Sequence, residues 1–185
     1  MSSIVVTGDT SGSVSLSAPA VAGTTTLTLP SVSGTVLTSA SSQVNGPAFS
    51  AYSSASQTGL TSSTYVKVNI NAKVFDTNSN FDSATNYRFT PTVAGYYQLN
   101  ASIYFLGTIN GYEACIYKNG VENTASAYSN SLASIVVAPI AGLIYMNGST
   151  DYLELYAFCT TSAGTWSING IAISTYFQAS MVRSA

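Results

Sequence analysis

The side chains able to do acid–base or metal chemistry in this chain are few. They are Asp9, Asp76, Asp82, Asp151, Glu113, Glu122 and Glu154, with Cys115 and Cys159 and no histidine. Without imidazole there is no Ser-His-Asp relay and no ordinary transition-metal site. A glycosidase needs two facing carboxylates. No spacing here pairs two of them, so no catalytic residue is assigned. The densest oxygen run is Asp76-x-Asn78-x-Asn80-x-Asp82. Its alternation would suit a hard cation such as Ca²⁺, with Asp76 and Asp82 as candidate ligands. It lacks the glycine at the sixth position and the glutamate at the twelfth of an EF-hand loop, so an Asx-rich turn is the better reading. No cofactor is expected. Cys115 and Cys159 are too few for a disulfide framework, and buried free thiols are expected. Trp166 is a candidate sugar-stacking platform, but Ser167 and Ile168 alternate beside it as in an ordinary strand, which favours packing.

The elements that must hold these residues are strands. The chain has 185 residues, of which 46% are hydrophobic and only 6% charged, and more than a quarter are Ser or Thr. Disorder needs the opposite balance, and coiled coils draw on Glu, Lys and Arg in bulk. Val66, Val68, Ile70, Ala72 and Val74 alternate with polar neighbours. So do Tyr97, Leu99, Ala101, Ile103 and Phe105. Leu153, Leu155, Ala157 and Cys159 form a third apolar face, and Ile171 through Met181 a fourth, each long enough for a half-buried strand. Asn-Gly pairs at 45–46, 110–111, 119–120, 147–148 and 169–170 read as type I′ hairpin turns. Many short antiparallel strands at even spacing give an all-β sandwich or jelly roll.

Three parts follow. Residues 1–38 read as a small β arm, 39–46 as a polar linker, and 47–185 as the main domain. The arm repeats the pattern x-Pro-x-Val-x-Gly-Thr around Pro19 and Pro30, and some 35 residues cannot bury a core alone. The arm is therefore expected to order on a partner.

The five cations, Lys67, Lys73, Lys118, Arg88 and Arg183, are scattered in a chain of net charge −2. That gives nucleic acid no basic stripe. Lys118, beside a hairpin, reads as a surface residue of little weight. No apolar run reaches the ~18 to 20 residues of a membrane span, and the first residues show no secretory signal. Tyr152, Glu154, Tyr156 and Phe158 form the second face of their strand, an aromatic surface poorly suited to water. A subunit interface would cover it, and so would a second layer from the same chain.

Residues 47–181 resemble the C1q/TNF-like jelly-roll superfamily, on the C1q side. The resemblance opens at Pro47-Ala48-Phe49-Ser50-Ala51 and continues through Val74-Phe75-Asp76-Thr77 and Asn80-Phe81-Asp82. Its most specific block is Tyr87-Arg88-Phe89-Thr90-Pro91-Thr92-Val93-Ala94-Gly95-Tyr96-Tyr97. The Lys118-Asn119-Gly120 hairpin, the Gly148 to Leu155 strand and the closing Ser174 to Ala179 strand around Phe177 follow in order. Within the central block, Pro91 and Gly95 are expected to bracket a turn, with Gly95 supplying backbone freedom. The resemblance implies a ten-stranded jelly roll that assembles as a homotrimer. No collagen-like Gly-X-Y run precedes it, so complement-type roles are not implied.

Thr7 to Pro30 is similar to a segment that recurs at the N-termini of virion proteins of tailed bacteriophages, especially those infecting cyanobacteria and marine bacteria. The resemblance assigns anchoring to Asp9, Pro19, Gly23, Leu27, Leu29 and Pro30. Together the two resemblances imply a non-enzymatic virion protein, assembled in the bacterial cytoplasm and displayed on the virion surface. It would be a trimeric tail fibre or fibre-tip adhesin touching a host glycan or protein. The alternative is a trimeric capsid decoration protein.

Overall fold

The computed structural model describes residues 3–7, 10–17, 20, 21, 23, 24, 26, 31 and 46–185. The anchoring positions Asp9, Pro19, Leu27, Leu29 and Pro30, and the linker over 39–45, lie outside the described residues. The chain divides into a unit over residues 1–41 and one over residues 42–185.

In the first unit β1 (Ser3–Thr7) and β2 (Ser13–Ser17) pair antiparallel, with Ile4 opposite Leu16 and Val6 opposite Val14. Val5 and Val6 are exposed. A lone two-stranded ribbon of this kind is marginal in water. Gly23 has a positive φ of 60° and open space around it.

The second unit holds β3 (Ala48–Tyr52), β4 (Gln57–Thr61), β5 (Thr64–Lys67), β6 (Ala72–Asp76), β7 (Phe81–Asp82), β8 (Arg88–Phe89) and β9 (Ala94–Lys118). It continues with β10 (Val121–Ala125), β11 (Ser129–Asn147), β12 (Leu153–Thr161), β13 (Thr165–Ile168) and β14 (Tyr176–Ser184). The long β9 serves both layers of the sandwich, and Gly107, at φ 141°, lies between its two halves. Its first half lies between β14 and β11, with β3 and β6 beyond β14. Its second half pairs β10 and β12, and β12 carries β5 and β8 on its other edge.

Alternation decides the core. Tyr97, Leu99, Ile103 and Phe105 from β9 are fully buried, as are Leu153, Leu155, Ala157 and Cys159 from β12. Phe49 stacks on Phe81 at 4.5 Å and lies 4.6 Å from Phe89, with Phe177 edge-on at 5.2 Å. Burying one such ring stabilises by roughly 1.5–3 kcal/mol.

Three local expectations change. The run Val66 to Val74 is two strands, not one. The chain leaves the β12 layer after Lys67 and joins the β3 layer at Ala72, burying Val68 and Ile70 in the crossing and exposing Val74 at 68%. Ile171 and Ile173 lie in an exposed loop before β14, because that strand starts only at Tyr176. Asn110-Gly111 makes no hairpin. It runs within β9, where Gly111 pairs with Thr160 on one side and Asn130 on the other.

Candidate assembly interface

The signature residues of the sequence are mostly packing residues. Phe49, Phe89, Tyr97 and Phe177 sit in the core, and Phe89 meets Tyr97 edge-to-face at 5.5 Å. Tyr97 Oη donates to the Val93 carbonyl at 2.8 Å, fastening the segment after the buried Pro91. Tyr87 takes a φ of 50° ahead of β8. Asn119 and Gly120 have φ of 54° and 79°, as a type I′ turn requires. The Asn119 side chain donates to Asp151 at 2.8 Å and accepts from the Tyr152 N–H. Phe75 is the exception: it points out of β6, 49% exposed.

Gly95 is not a turn residue. It lies within β9 and its φ is not among the positive ones. What requires glycine is proximity: a Cβ there would collide with the Arg183 carbonyl oxygen of β14 and stand 3.1 Å from Met181 Sδ. Lys118 is not a bystander either. Its Nζ lies 2.8 Å from Asp151 Oδ2 and donates to the Tyr145 carbonyl at 2.7 Å.

The oxygen-rich run forms turns. Asp76 accepts the N–H groups of Asn80 and Phe81, each at 3.0 Å, and pairs with Lys73. Asp82 accepts from Ala84, Thr85 and Asn86, and the N–H groups of Thr85 and Ala84 hold its carboxyl down at about 2. Oxygens engaged this way point at the chain rather than at a common centre.

Cys115 and Cys159 are free and buried. They lie on opposite faces of their sheet. Cys159 joins the core and Cys115, opposite Tyr156, does not. Burial pushes Cys115 up to about 12, helped by the charges of Glu113 and Glu122, and pushes Cys159 up to about 11. Trp166 is 2% exposed, stacks on Phe105 at 5.5 Å and donates to the Thr61 carbonyl, so it packs.

The second face of β12 is partly shielded by side chains of the neighbouring strands on the same sheet face. Glu154 is 4% exposed and paired with Lys67 at 2.6 Å. Tyr156 stacks on Tyr117 at 4.1 Å, and Phe158 packs against Tyr65 at 4.7 Å.

The large uncovered apolar surface lies on the other layer. On the outward side of β11, Val137, Leu143 and Tyr145 are exposed, with Pro139 and Ala141 between them. Register places Tyr96, Gln98, Asn100 and Ser102 of β9 beside them, then Tyr176, Gln178 and Ser180 of β14. Tyr96 and Tyr145 meet at 5.5 Å, and Val182 stands exposed nearby. These positions are uncharged, and Arg183, opposite Tyr96 on β14, puts a single charge at the edge of the face. Three shallow depressions of about 200, 320 and 530 Å³ open on this layer. The signal was present in Ile135 to Met146, a run apolar on both of its faces. A strand that must face water on one side would not read so.

No protein-family model matches the sequence, and no curated protein matches it. Solved structures do match. Murine APRIL, at pH 5.0, superposes over 74% of this chain and 99% of its own with a TM-score of 0.58 and 8% identity. Eiger TNF from S. frugiperda gives a TM-score of 0.55 at 10% identity, over 76% and 95% of the two chains. The globular domain of zebrafish complement 1qA gives 0.55 at 16%, over 75% and 99%. The fold is a C1q/TNF-like jelly roll. At such identities the likeness is one of backbone course, and the side chains of a C1q/TNF-like domain remain free to carry different work.

Proposed function

We propose that this C1q/TNF-like chain is a homotrimeric structural protein of a tailed-bacteriophage virion, a tail fibre or fibre-tip adhesin. Its N-terminal segment anchors it to other virion proteins and its knob touches the host surface. The assembly half of this reading rests on the outer face of β11, β9 and β14, apolar along β11 and charged only at its Arg183 edge among the described residues. Contiguous exposed apolar surface of this kind marks an interface. The virion half rests on the resemblance of Thr7 to Pro30 to phage virion proteins. Weak contacts at the knob, repeated three times, gain by multivalency.

Light scattering at micromolar concentration should give about three times the 19.2 kDa chain mass. Leu143→Glu places a charge in the middle of the face and should yield a folded monomer. A wild-type chain that stays monomeric overturns the reading. A chain starting at Gly46 should still trimerise yet fail to join the particle, and incorporation at wild-type level would remove the anchoring role. The second reading, a capsid decoration protein, is favoured by the sequence between arm and main domain, since residues 39–46 are too few to build a shaft or coiled coil. Copy number decides between them: a few dozen chains per particle for a tail, hundreds for a head.

A further inference from the structure

The layer opposite the assembly face carries a row of aromatic rings, each partly or largely exposed. Tyr128 lies 6.3 Å from Phe158, Phe158 lies 4.7 Å from Tyr65, Tyr65 lies 6.1 Å from Tyr117, and Tyr117 stacks on Tyr156 at 4.1 Å. Five rings thus run side by side across β5, β12, β9 and the loop before β11. The two outermost of the first three, Tyr65 and Tyr128, are 40% and 47% exposed.

The groups between the rings are polar and fixed. Tyr65 Oη donates to Glu113 Oε2 at 2.9 Å, and Tyr128 Oη lies 3.2 Å from Thr160 Oγ1. Register sets Glu113 beside Phe158 and Glu122 beside Tyr117. Two cations stand on this face: Lys67 is bound to Glu154 and lies 5.9 Å over the Tyr156 ring, and Arg88, opposite Glu154, lies 4.5 Å over the Tyr152 ring. Among the described residues, Glu113 and Glu122 have no ion-pair partner.

We propose that this aromatic row, on the proposed virion protein, is a binding strip for a neutral hexopyranose chain of the host surface. Pyranose rings present flat C–H faces that stack on aromatic rings and hydroxyls that donate to carboxylates, and tyrosine is amphipathic in the same sense. Glu113 and Glu122, which lie among the rings, repel acidic polysaccharides and select against them, while Arg88 is engaged by the Tyr152 ring at the other end of β12. The interleaved carboxylates also argue against a protein occupant, whose interface needs a contiguous apolar centre with few charges. A shallow strip without a pocket gives weak single contacts, which suits a repeating polymer met by three knobs.

The test is titration of the full chain with maltohexaose, cellohexaose and β-1,4-galactohexaose, and with a mannuronate hexamer as the anionic contrast. Calorimetry should show at least one neutral hexaose binding in the millimolar range and the mannuronate not binding. Tyr65→Ala and Tyr128→Ala should each weaken binding about tenfold, the loss of one ring contact, with unchanged light scattering. Tyr65→Phe, which keeps the ring and frees Glu113, should lose less. No binding by any neutral hexaose, equal binding of the mannuronate, or wild-type affinity in both alanine variants overturns the proposal. Scattering reports on assembly separately, so a failed trimer and a failed glycan strip are told apart.

Discussion

Gly95→Ala tests how this fold closes. Two explanations for the glycine compete. If a turn required backbone freedom, alanine would suffer strain at a positive φ. The φ of Gly95 is not positive, so alanine costs nothing there on that account. Its Cβ would instead meet three atoms of β14: the Arg183 carbonyl oxygen, Met181 Sδ at 3.1 Å and Ser184 Cα at 3.2 Å. Two of these are backbone and cannot swing aside. Relief requires β14 to lift where Ser184 faces Gly95 and Arg183 faces Tyr96. Lifting loosens ladder hydrogen bonds worth about 1 kcal/mol each. The expected cost is about 2 to 3 kcal/mol, the upper part of the range for overpacking. Urea unfolding of Gly95→Ala against wild type measures it. The same substitution in a chain ending at Val182, which lacks the offending carbonyl, should cost less than about 1 kcal/mol, a coupling that a two-variant cycle reads directly. Equal costs in both backgrounds, or no cost in either, would refute the collision argument.

Lys118→Ala should lower stability by about 1 to 2 kcal/mol, because it strands the mostly buried Asp151 carboxylate; partial exposure keeps the loss below that of a fully buried pair. Thermal unfolding checks this, and Asp151→Asn in the same chain should recover part of it. On acidification the thermal midpoint should fall between about pH 4 and pH 2. Asp82 is held at about 2 against an ordinary 3.8, so its contribution is present above the ordinary value and is lost as pH drops through the lowered one. Asp151 adds in the same direction, its burial outweighed by the bonds from Lys118, Asn119 and the Asn147 N–H. Asp82→Asn should flatten that part of the profile. At pH 8 neither thiol should react with Ellman's reagent until denaturant is added, since burial keeps Cys115 and Cys159 protonated and out of reach. Titration of either thiol in the native protein would contradict their placement.

The sequence by itself determined the class and much of the core. Period-two alternation in Tyr97 to Phe105 and in Leu153 to Cys159 is a local property, and any sheet using those strands buries those residues. The turn at Asn119-Gly120 is equally local, since two adjacent residues supply both positive φ angles. What only the tertiary structure decided is where strands meet. The same Asn-Gly pair at 110–111 is held extended because β11 and β12 flank it. Gly95 owes its identity to Arg183, 88 positions away, and Lys118 its weight to Asp151, 33 positions on and beyond β10 and β11. The apolar second faces divided the same way. Tyr156 and Phe158 are partly shielded by Tyr117 and Tyr65 beside them on the same sheet face, whereas Leu143 and Tyr145 are exposed. Periodicity records that a face is apolar. Which neighbour covers it depends on pairings between distant segments, and those are fixed only when the two layers close on each other.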